Sequence, residues 1–310
     1  NSLVHRAYHA IPPLNNSKGE PTNAVFGFAS MILTVLATEK PDHVVVAFDI
    51  GKTFRHDEAP EYKAHRPPMP EDLAVQFARV RQIVETMGFA TAQKEGFEAD
   101  DVLGTLAAQA SAQGIDSLIV TGDTDTLQLV DPHTRILTSR RGFSDTVVYD
   151  EDSVRQRYGL APSQLADLRG LRGDPTDNIP NVPSVGDVTA TKWLQQFGSL
   201  ENLFAHLDDV DPKLRAKLAP YAEQAHKSKH LATIVTDVPV TLDLAGSHAG
   251  RYDRDRMVAL FRDLEFRSLV ERLPKPAPGR PAPAGATGDT AAGAQAAGLP
   301  PQQMALFGGA

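Results

Sequence analysis

Two short runs, His43-Val44-Val45-Val46-Ala47-Phe48 and Ser117-Leu118-Ile119-Val120-Thr121, are apolar almost without interruption, and each stops at an acid: Asp49 after the first, Gly122-Asp123 after the second. Runs this short, apolar on both faces, predict buried parallel strands. Around them the period turns helical, with Leu73, Phe77, Val80, Val84 and Met87 after Pro70, then Val102, Leu103, Leu106, Ala107 and Ala110. Residues 1–150 therefore predict an α/β core in which a central, mostly parallel sheet is flanked by helices. From about residue 151 to 273 only helical periods remain, at 154–158, 162–171, 188–197, 200–207, 213–221 and 254–264, which predicts a second, helical region. In the last stretch, 274–310, 25 of 37 residues are Pro, Gly or Ala without apolar period, which predicts a disordered linker or tail. Residues 53–70 differ again. Arg55, Lys63 and Arg66 alternate with Phe54, His56, Tyr62 and His65, and Pro67, Pro68 and Pro70 break regular structure, as in an exposed functional loop.

The strand ends and helix starts carry the candidate chemistry. Four acidic clusters supply Asp49, then Glu98, Asp100 and Asp101, then Asp123 and Asp125, then Asp174 and Asp177. Open parallel sheets gather reactive groups at the carboxyl ends of their strands, where Asp49, Asp123 and Asp125 fall. Each cluster alone also suits a helix cap or a turn. Four together, from separate segments, point to a pit that repels itself until cations fill it. Two divalent ions in such a pit can activate water and stabilise the leaving oxygen of a phosphodiester. Downstream, Asn178-Ile179-Pro180-Asn181-Val182-Pro183-Ser184-Val185-Gly186, followed by a helix from about Asp187, reads as a tight turn whose backbone N–H groups and helix start could grip a phosphate.

Composition narrows this further. With no cysteine, any metal is held by oxygen or imidazole, which favours Mg²⁺ or Mn²⁺ and suits a reducing cytoplasm. The formal charge of -8 argues at first against a nucleic-acid partner, yet the eight clustered carboxylates account for all of it. With cations in the pit the local field favours phosphate. No apolar run reaches membrane-spanning length and no signal-peptide plan opens the chain, so the expectation is a cytoplasmic protein without a membrane partner.

Six motifs in order, Arg6-Ala7-Tyr8-His9-Ala10, Gly51-Lys52-Thr53-Phe54-Arg55, Tyr62-Lys63-Ala64-His65-Arg66-Pro67, Glu98-Ala99-Asp100-Asp101, Thr121-Gly122-Asp123-Thr124-Asp125 and Gly173-Asp174-Pro175-Thr176-Asp177-Asn178-Ile179-Pro180, resemble the 5′-nuclease domain of bacterial DNA polymerase I over residues 1–273. The resemblance implies a flap-endonuclease-like (PIN-type) fold, with a helical arch at about 53–88 and a helix-three-turn-helix at about 170–198. It implies a monomeric, nucleoid-associated 5′-3′ exonuclease and flap endonuclease for primer removal and nick translation on DNA with 5′ flaps, nicks or RNA primers. The eight carboxylates would then hold two or three Mg²⁺ or Mn²⁺ ions, Lys63 and Arg66 would act on the scissile phosphate, and Arg6, Arg55, Tyr62, Val182, Ser184, Gly186 and Thr189 would contact DNA, with K⁺ at the turn. Gln303, Leu306 and Phe307 resemble a short sliding-clamp-binding peptide in the tail.

The match has departures. The family's strand before Asn1 ends in Asp-Gly, whose aspartate is a metal ligand. Thr124 stands where a basic residue is usual, Asn181 and Ser184 replace glycines, and Asp187-Val188 lacks the basic residue of that helix start. Two other readings fit part of the pattern: a haloacid-dehalogenase-like phosphatase with Asp123 as nucleophile, and a branched-DNA-binding module without catalysis.

Overall fold

The computed structural model describes residues 2–139, 145–275 and 302–308. Its helices are α1 (Ser2–Ala10), α2 (Asn23–Thr38), α3 (Phe54–Glu58), α4 (Glu71–Thr86), α5 (Ala99–Ser111), α6 (Glu151–Tyr158), α7 (Leu165–Arg172), α8 (Asp187–Phe197), α9 (Leu200–Ala205), α10 (Pro212–Leu218), α11 (Ala222–Ala232), α12 (Arg254–Asp263) and α13 (Arg267–Val270). The strands are β1 (His43–Ala47), β2 (Ala90–Ala92), β3 (Asp116–Val120), β4 (Thr134–Ser139), β5 (Thr146–Tyr149) and β6 (Gln303–Phe307), in the spatial order β2-β1-β6-β3-β4-β5. Every described neighbour pair is parallel except β4 and β5.

The unbroken apolar character of β1 and β3 follows from helices on both faces. Val44, Val46, Leu118 and Val120 pack with Leu3 of α1, Phe28 and Ile32 of α2, Val80 of α4 and Phe261 of α12. Their neighbours Val45, Ala47 and Ile119 turn the other way, against Leu103 and Leu106 of α5, with Leu171 of α7 and Trp193 of α8 in the same core. Successive side chains of a strand face opposite sides, so each run feeds both cores.

β6 corrects the reading of the tail. Residues 302–308 are not disordered: Met304 and Leu306 enter one core and Ala305 and Phe307 the other, and both ladders are parallel, to β1 and to β3. The remainder of the tail, 276–301 and 309–310, lies outside the described residues. Leu306 and Phe307, expected as anchors for a clamp, have no exposed surface, and Gln303 starts the strand. Five residues among Pro, Gly and Ala give no local sheet signal, because the partner strands are remote in sequence. β6 ends beside α1, where Ser2 Oγ donates to the Gly308 carbonyl at 2.9 Å. A Cβ on Gly308 would stand 2.8 Å from Leu103 Cδ1 and 3.2 Å from Ala47 Cβ, so only glycine fits as the chain leaves the sheet.

Residues 53–70 are also less open than expected. α3 and a series of turns occupy 54–66, and Arg55 and Tyr62 are only 2% and 3% exposed, whereas His65 to Pro70 are exposed. No described helix is long and apolar enough to cross a membrane.

Candidate active site

At the carboxyl edge of the sheet the four acidic clusters come together, each placed by local structure. Asp49 follows β1, and its Oδ1 accepts from the Ala99 N–H at 2.7 Å, which fixes the start of α5 on the end of that strand. Asp101 closes the same helix start as part of a capping box, accepting from the Glu98 N–H at 2.9 Å. Asp123 follows β3 and accepts from the Asp125 N–H at 2.8 Å, a turn that leads both carboxylates to one wall. The last pair depends on Gly173, which ends α7 at φ +71 with a would-be Cβ 2.6 Å from the Ile179 carbonyl oxygen. That close return lets Asp174 and Ile179 pair backbone to backbone and aims Asp177 at the arch.

Glu98, Asp100, Asp123, Asp125 and Asp177 line one narrow cleft with Lys63. Lys63 Nζ lies 2.7 Å from Glu98 and 3.5 Å from Asp177, and Arg66 is 2.6 Å from Asp177. Burial opposes the Lys63 ammonium, but Glu98 and Asp177 outweigh it and raise its pKa. Burial raises the Asp100 carboxyl well above the carboxylate range, with Asp123, Asp49 and Glu98 adding repulsion. Burial also raises Asp123 and, with Asp123 beside it, pushes Asp125 up to about 7. Burial is the largest cause of each carboxyl shift, and the crowding of like charge adds to it.

Arg169 was missed by sequence reasoning. From α7 it pairs with Asp125 and, at 2.9 Å, with Asp174, so it bridges the third and fourth clusters. The available signal was an arginine one turn before Gly173-Asp174 on a predicted helix.

Four expected roles need correction. Asp101 borders the cleft, but its oxygens are already engaged: it is fully buried, and Arg55 grips both its oxygens at 2.7 and 2.8 Å while donating to the carbonyls of Leu231 and Thr233. Arg55 is accordingly a buried brace and not a DNA contact, since its donors are spent inside the protein. Tyr62 is buried too, with its hydroxyl 2.9 Å from Asp177, so its ring offers no stacking face. Val182 belongs to the core, while Ser184 and Gly186 are exposed and Thr189 is half-buried at the start of α8. Arg6 stands at the edge of the site, where Nη1 donates to the Gly122 carbonyl at 3.2 Å and Nη2 to that of Ser139.

The acidic donors of the cleft are all carboxylate oxygens, the kind a hard cation takes. Among the described residues no three carboxylates or imidazoles stand together as a ligand cage, because Lys63, Arg66 and Arg169 draw Glu98, Asp177, Asp125 and Asp174 toward themselves. Asp100 has no such partner. It is 5% exposed, and its Oδ1 makes no hydrogen bond. An unpaired buried carboxylate oxygen facing other carboxylates is costly unless something positive occupies the space.

Two family models match consecutive parts of the chain: the N-terminal resolvase-like domain of 5′-3′ exonucleases over residues 1–159, and their C-terminal SAM fold over 160–255. DNA polymerase I of Chloroflexus aurantiacus is 47% identical over 281 residues, covering 88% of this chain and 30% of that protein. The Bacillus subtilis enzyme is 43% identical, covering 88% and 31%. The chain thus spans about three tenths of the length of these relatives. Among solved structures, T5 5′-exonuclease with bound zinc has a TM-score of 0.63 at 21% identity, covering 86% of this chain and 96% of that one. The catalytic core of Rad2 with DNA substrate has a TM-score of 0.56 at 18% identity, covering 86% and 90%. At these identities the structural likeness establishes a shared fold, with the mostly parallel, helix-flanked sheet expected from sequence.

Proposed function

Since this chain belongs to the 5′-3′ exonuclease family, we propose that its cleft hydrolyses phosphodiesters of DNA, or of RNA primers on DNA, near 5′ ends, flaps and nicks. In this reading it is the nuclease part of a DNA polymerase I, serving primer removal and nick translation, and it acts as a monomer in the bacterial nucleoid. The observation that carries the reading is the unpartnered, buried Oδ1 of Asp100 among carboxylates from three other segments, with Lys63 and Arg66 at the same opening.

Glu98, Asp100, Asp123, Asp125 and Asp177, with Asp49 and Asp174 behind them, would hold two or three divalent ions, Mg²⁺ or Mn²⁺ by their all-oxygen donors, with K⁺ as an accessory cation at the 178–186 turn. When bound, the divalent ions supply an activated water and neutralise charge on the cleaved phosphate. The chain's own residues do the rest. Lys63 retains donor capacity beside Glu98 and can stabilise charge on a non-bridging oxygen, while Arg66 presents its planar fork at the rim. Arg169 holds Asp125 and Asp174 at fixed spacing. Ser184, Gly186 and the first turn of α8 offer a backbone surface for the duplex. T5 flap endonuclease, of the same fold, has been solved with DNA and metal ions, and Rad2 with DNA substrate, which supports DNA as the ligand. Clamp binding by Gln303, Leu306 and Phe307 would require β6 to leave the sheet.

The test is cleavage of a 5′-labelled flap and a nicked duplex with Mg²⁺, Mn²⁺ or excess chelator. Cation-dependent release of short 5′ fragments is expected. Tight flap binding without cleavage at any cation concentration would instead leave a branched-DNA-binding module. A trapped aspartyl-phosphate analogue at Asp123 would move the protein to the phosphatase reading.

A further inference from the structure

Beside the carboxylate cleft lies a cavity of about 670 Å³, within the range of small-ligand sites. One wall is the acidic one, with Asp123, Asp125, Asp174 and Asp177 and the intervening Arg169. The rest of the lining is of another kind and includes His5 and His9 from α1, with His65 and Arg66 from the arch. His5 and His9 are four residues apart on a helix and so share one face. His5 is half-buried and packs against Phe77, while His9 and His65 are exposed. Among the described residues none of the three imidazoles makes a hydrogen bond or an ion pair, in contrast to nearly every charged group of the neighbouring cleft. Three imidazoles from two separate segments line one space with an arginine, a set of donors suited to a ligand that accepts several hydrogen bonds.

We propose that this part of the lining seats the terminal 5′-phosphate of the strand being cut, so that the enzyme prefers 5′-phosphorylated ends over 5′-hydroxyl ends. The inference rests on the nuclease reading above. A terminal phosphomonoester differs from the internal phosphodiesters by carrying nearly two charges and three strong acceptor oxygens. The carboxylate wall repels such a group, whereas imidazole N–H donors and the remaining donors of Arg66 match it, the guanidinium donating to two phosphate oxygens side by side. The cavity keeps the two requirements apart, with the scissile phosphate against the acidic wall and the end of the strand against the basic one. The arrangement also sustains itself. Hydrolysis in which water attacks phosphorus, the P–O3′ bond breaks and the 3′ oxygen leaves with a proton puts a phosphate on the new 5′ end. Each cut therefore regenerates the ligand for the next.

The experiment uses the full chain with Mg²⁺ on two nicked duplexes identical except for a 5′-phosphate or a 5′-hydroxyl, with KM and kcat separated. A preference of about tenfold for the phosphate, residing in KM, is expected, the size of one charge-assisted recognition. In His65→Asn and in the double variant His5→Asn with His9→Asn the preference falls to near one, and inorganic phosphate, which competes with wild-type, loses its effect. His9 and His65 are exposed, so His9→Asn with His65→Asn serves as a second variant should the change at His5 disturb folding. Equal rates for the two ends in wild-type, or variants that lower both rates in the same proportion, would overturn the proposal. Absence of cleavage on both ends and on a long flap would defeat the nuclease reading instead.

Discussion

Lys63 is tied to Asp177 twice, through its backbone N–H, which donates to the Asp177 carbonyl at 3.0 Å, and through Nζ, 3.5 Å from the carboxylate. Lys63 itself sits at φ +55, a conformation uncommon for a residue with a Cβ. An outlier held in place by two contacts across 114 residues of sequence is positioned, not incidental. Lys63→Ala should slow single-turnover cleavage by about a hundredfold or more while leaving flap affinity within a few-fold, because the lost donor acts mainly as charge develops. Equal losses in rate and affinity would make Lys63 a binding residue only.

Asp100 sets function against stability. Asp100→Asn removes a buried carboxyl whose ionisation is opposed by its burial and its acidic neighbours and whose oxygen is unpartnered. Without divalent ions the variant should be more stable than wild-type by about 1–2 kcal/mol in denaturant unfolding. The thermal upshift that Mn²⁺ gives wild-type should shrink, and cleavage should disappear. A destabilised variant that still cleaves would contradict the placement of Asp100 in the cation site.

Arg55 and Asp101 form a buried, two-pronged ion pair. Removing one partner strands the other, so Arg55→Ala should cost about 3–5 kcal/mol. Arg55→Met with Asp101→Leu should recover much of that loss, since the pair gives little net stability over apolar packing. Non-additivity in this double-mutant cycle is the readout. A mild Arg55→Ala with reduced DNA binding would return Arg55 to the interface.

His43 supplies the pH dependence. It is 1% exposed, stacks on His248 at 4.4 Å and bonds Ser247 through Nδ1, and burial, then His248, hold its imidazole below the ordinary 6.5. Below that value the unfolded chain takes up a proton that the folded chain refuses. Its contribution to stability is therefore intact at neutral pH and lost as the pH falls through about 6.5 toward the depressed folded value. The melting temperature should drop on acidification from about pH 7.5 to 5.5, and His43→Asn should flatten part of that slope. An unaltered slope would assign the effect elsewhere.

At the start of α8, Asp187 occupies the first turn and pairs with Arg172. An acid there completes the helix dipole but competes with a phosphate for the same positive end. Asp187→Lys should tighten duplex binding several-fold at low salt and steepen its salt dependence by about one phosphate contact. Unchanged affinity would remove this turn from the DNA surface.

How much of this was legible in the chain varies with the range of the interaction. The acidic clusters could be found because strand ends and helix starts are local features, and the structure brings all eight residues to one edge of the sheet or just behind it. Asp101 could not be separated from Asp100 by pattern, since adjacent helix positions point about 100° apart and only the fold shows which meets Arg55. Tyr62 and Val182 resemble contact residues in sequence, yet both are buried by segments remote from them. Arg169 and His5 escaped, and His9 and His65 were given no role, because single residues of common type carry no spacing signal until their elements are packed together.

β6 has a kinetic consequence. Its partner β1 lies about 260 residues earlier, so the middle of the sheet closes through one of the longest loops the chain permits. Contacts of such separation are made late and slowly. During synthesis β1 and β3 cannot make their ladders with β6 until the segment containing Leu306 and Phe307 has left the ribosome. Those two apolar strands are what a chaperone would need to shield in the interval.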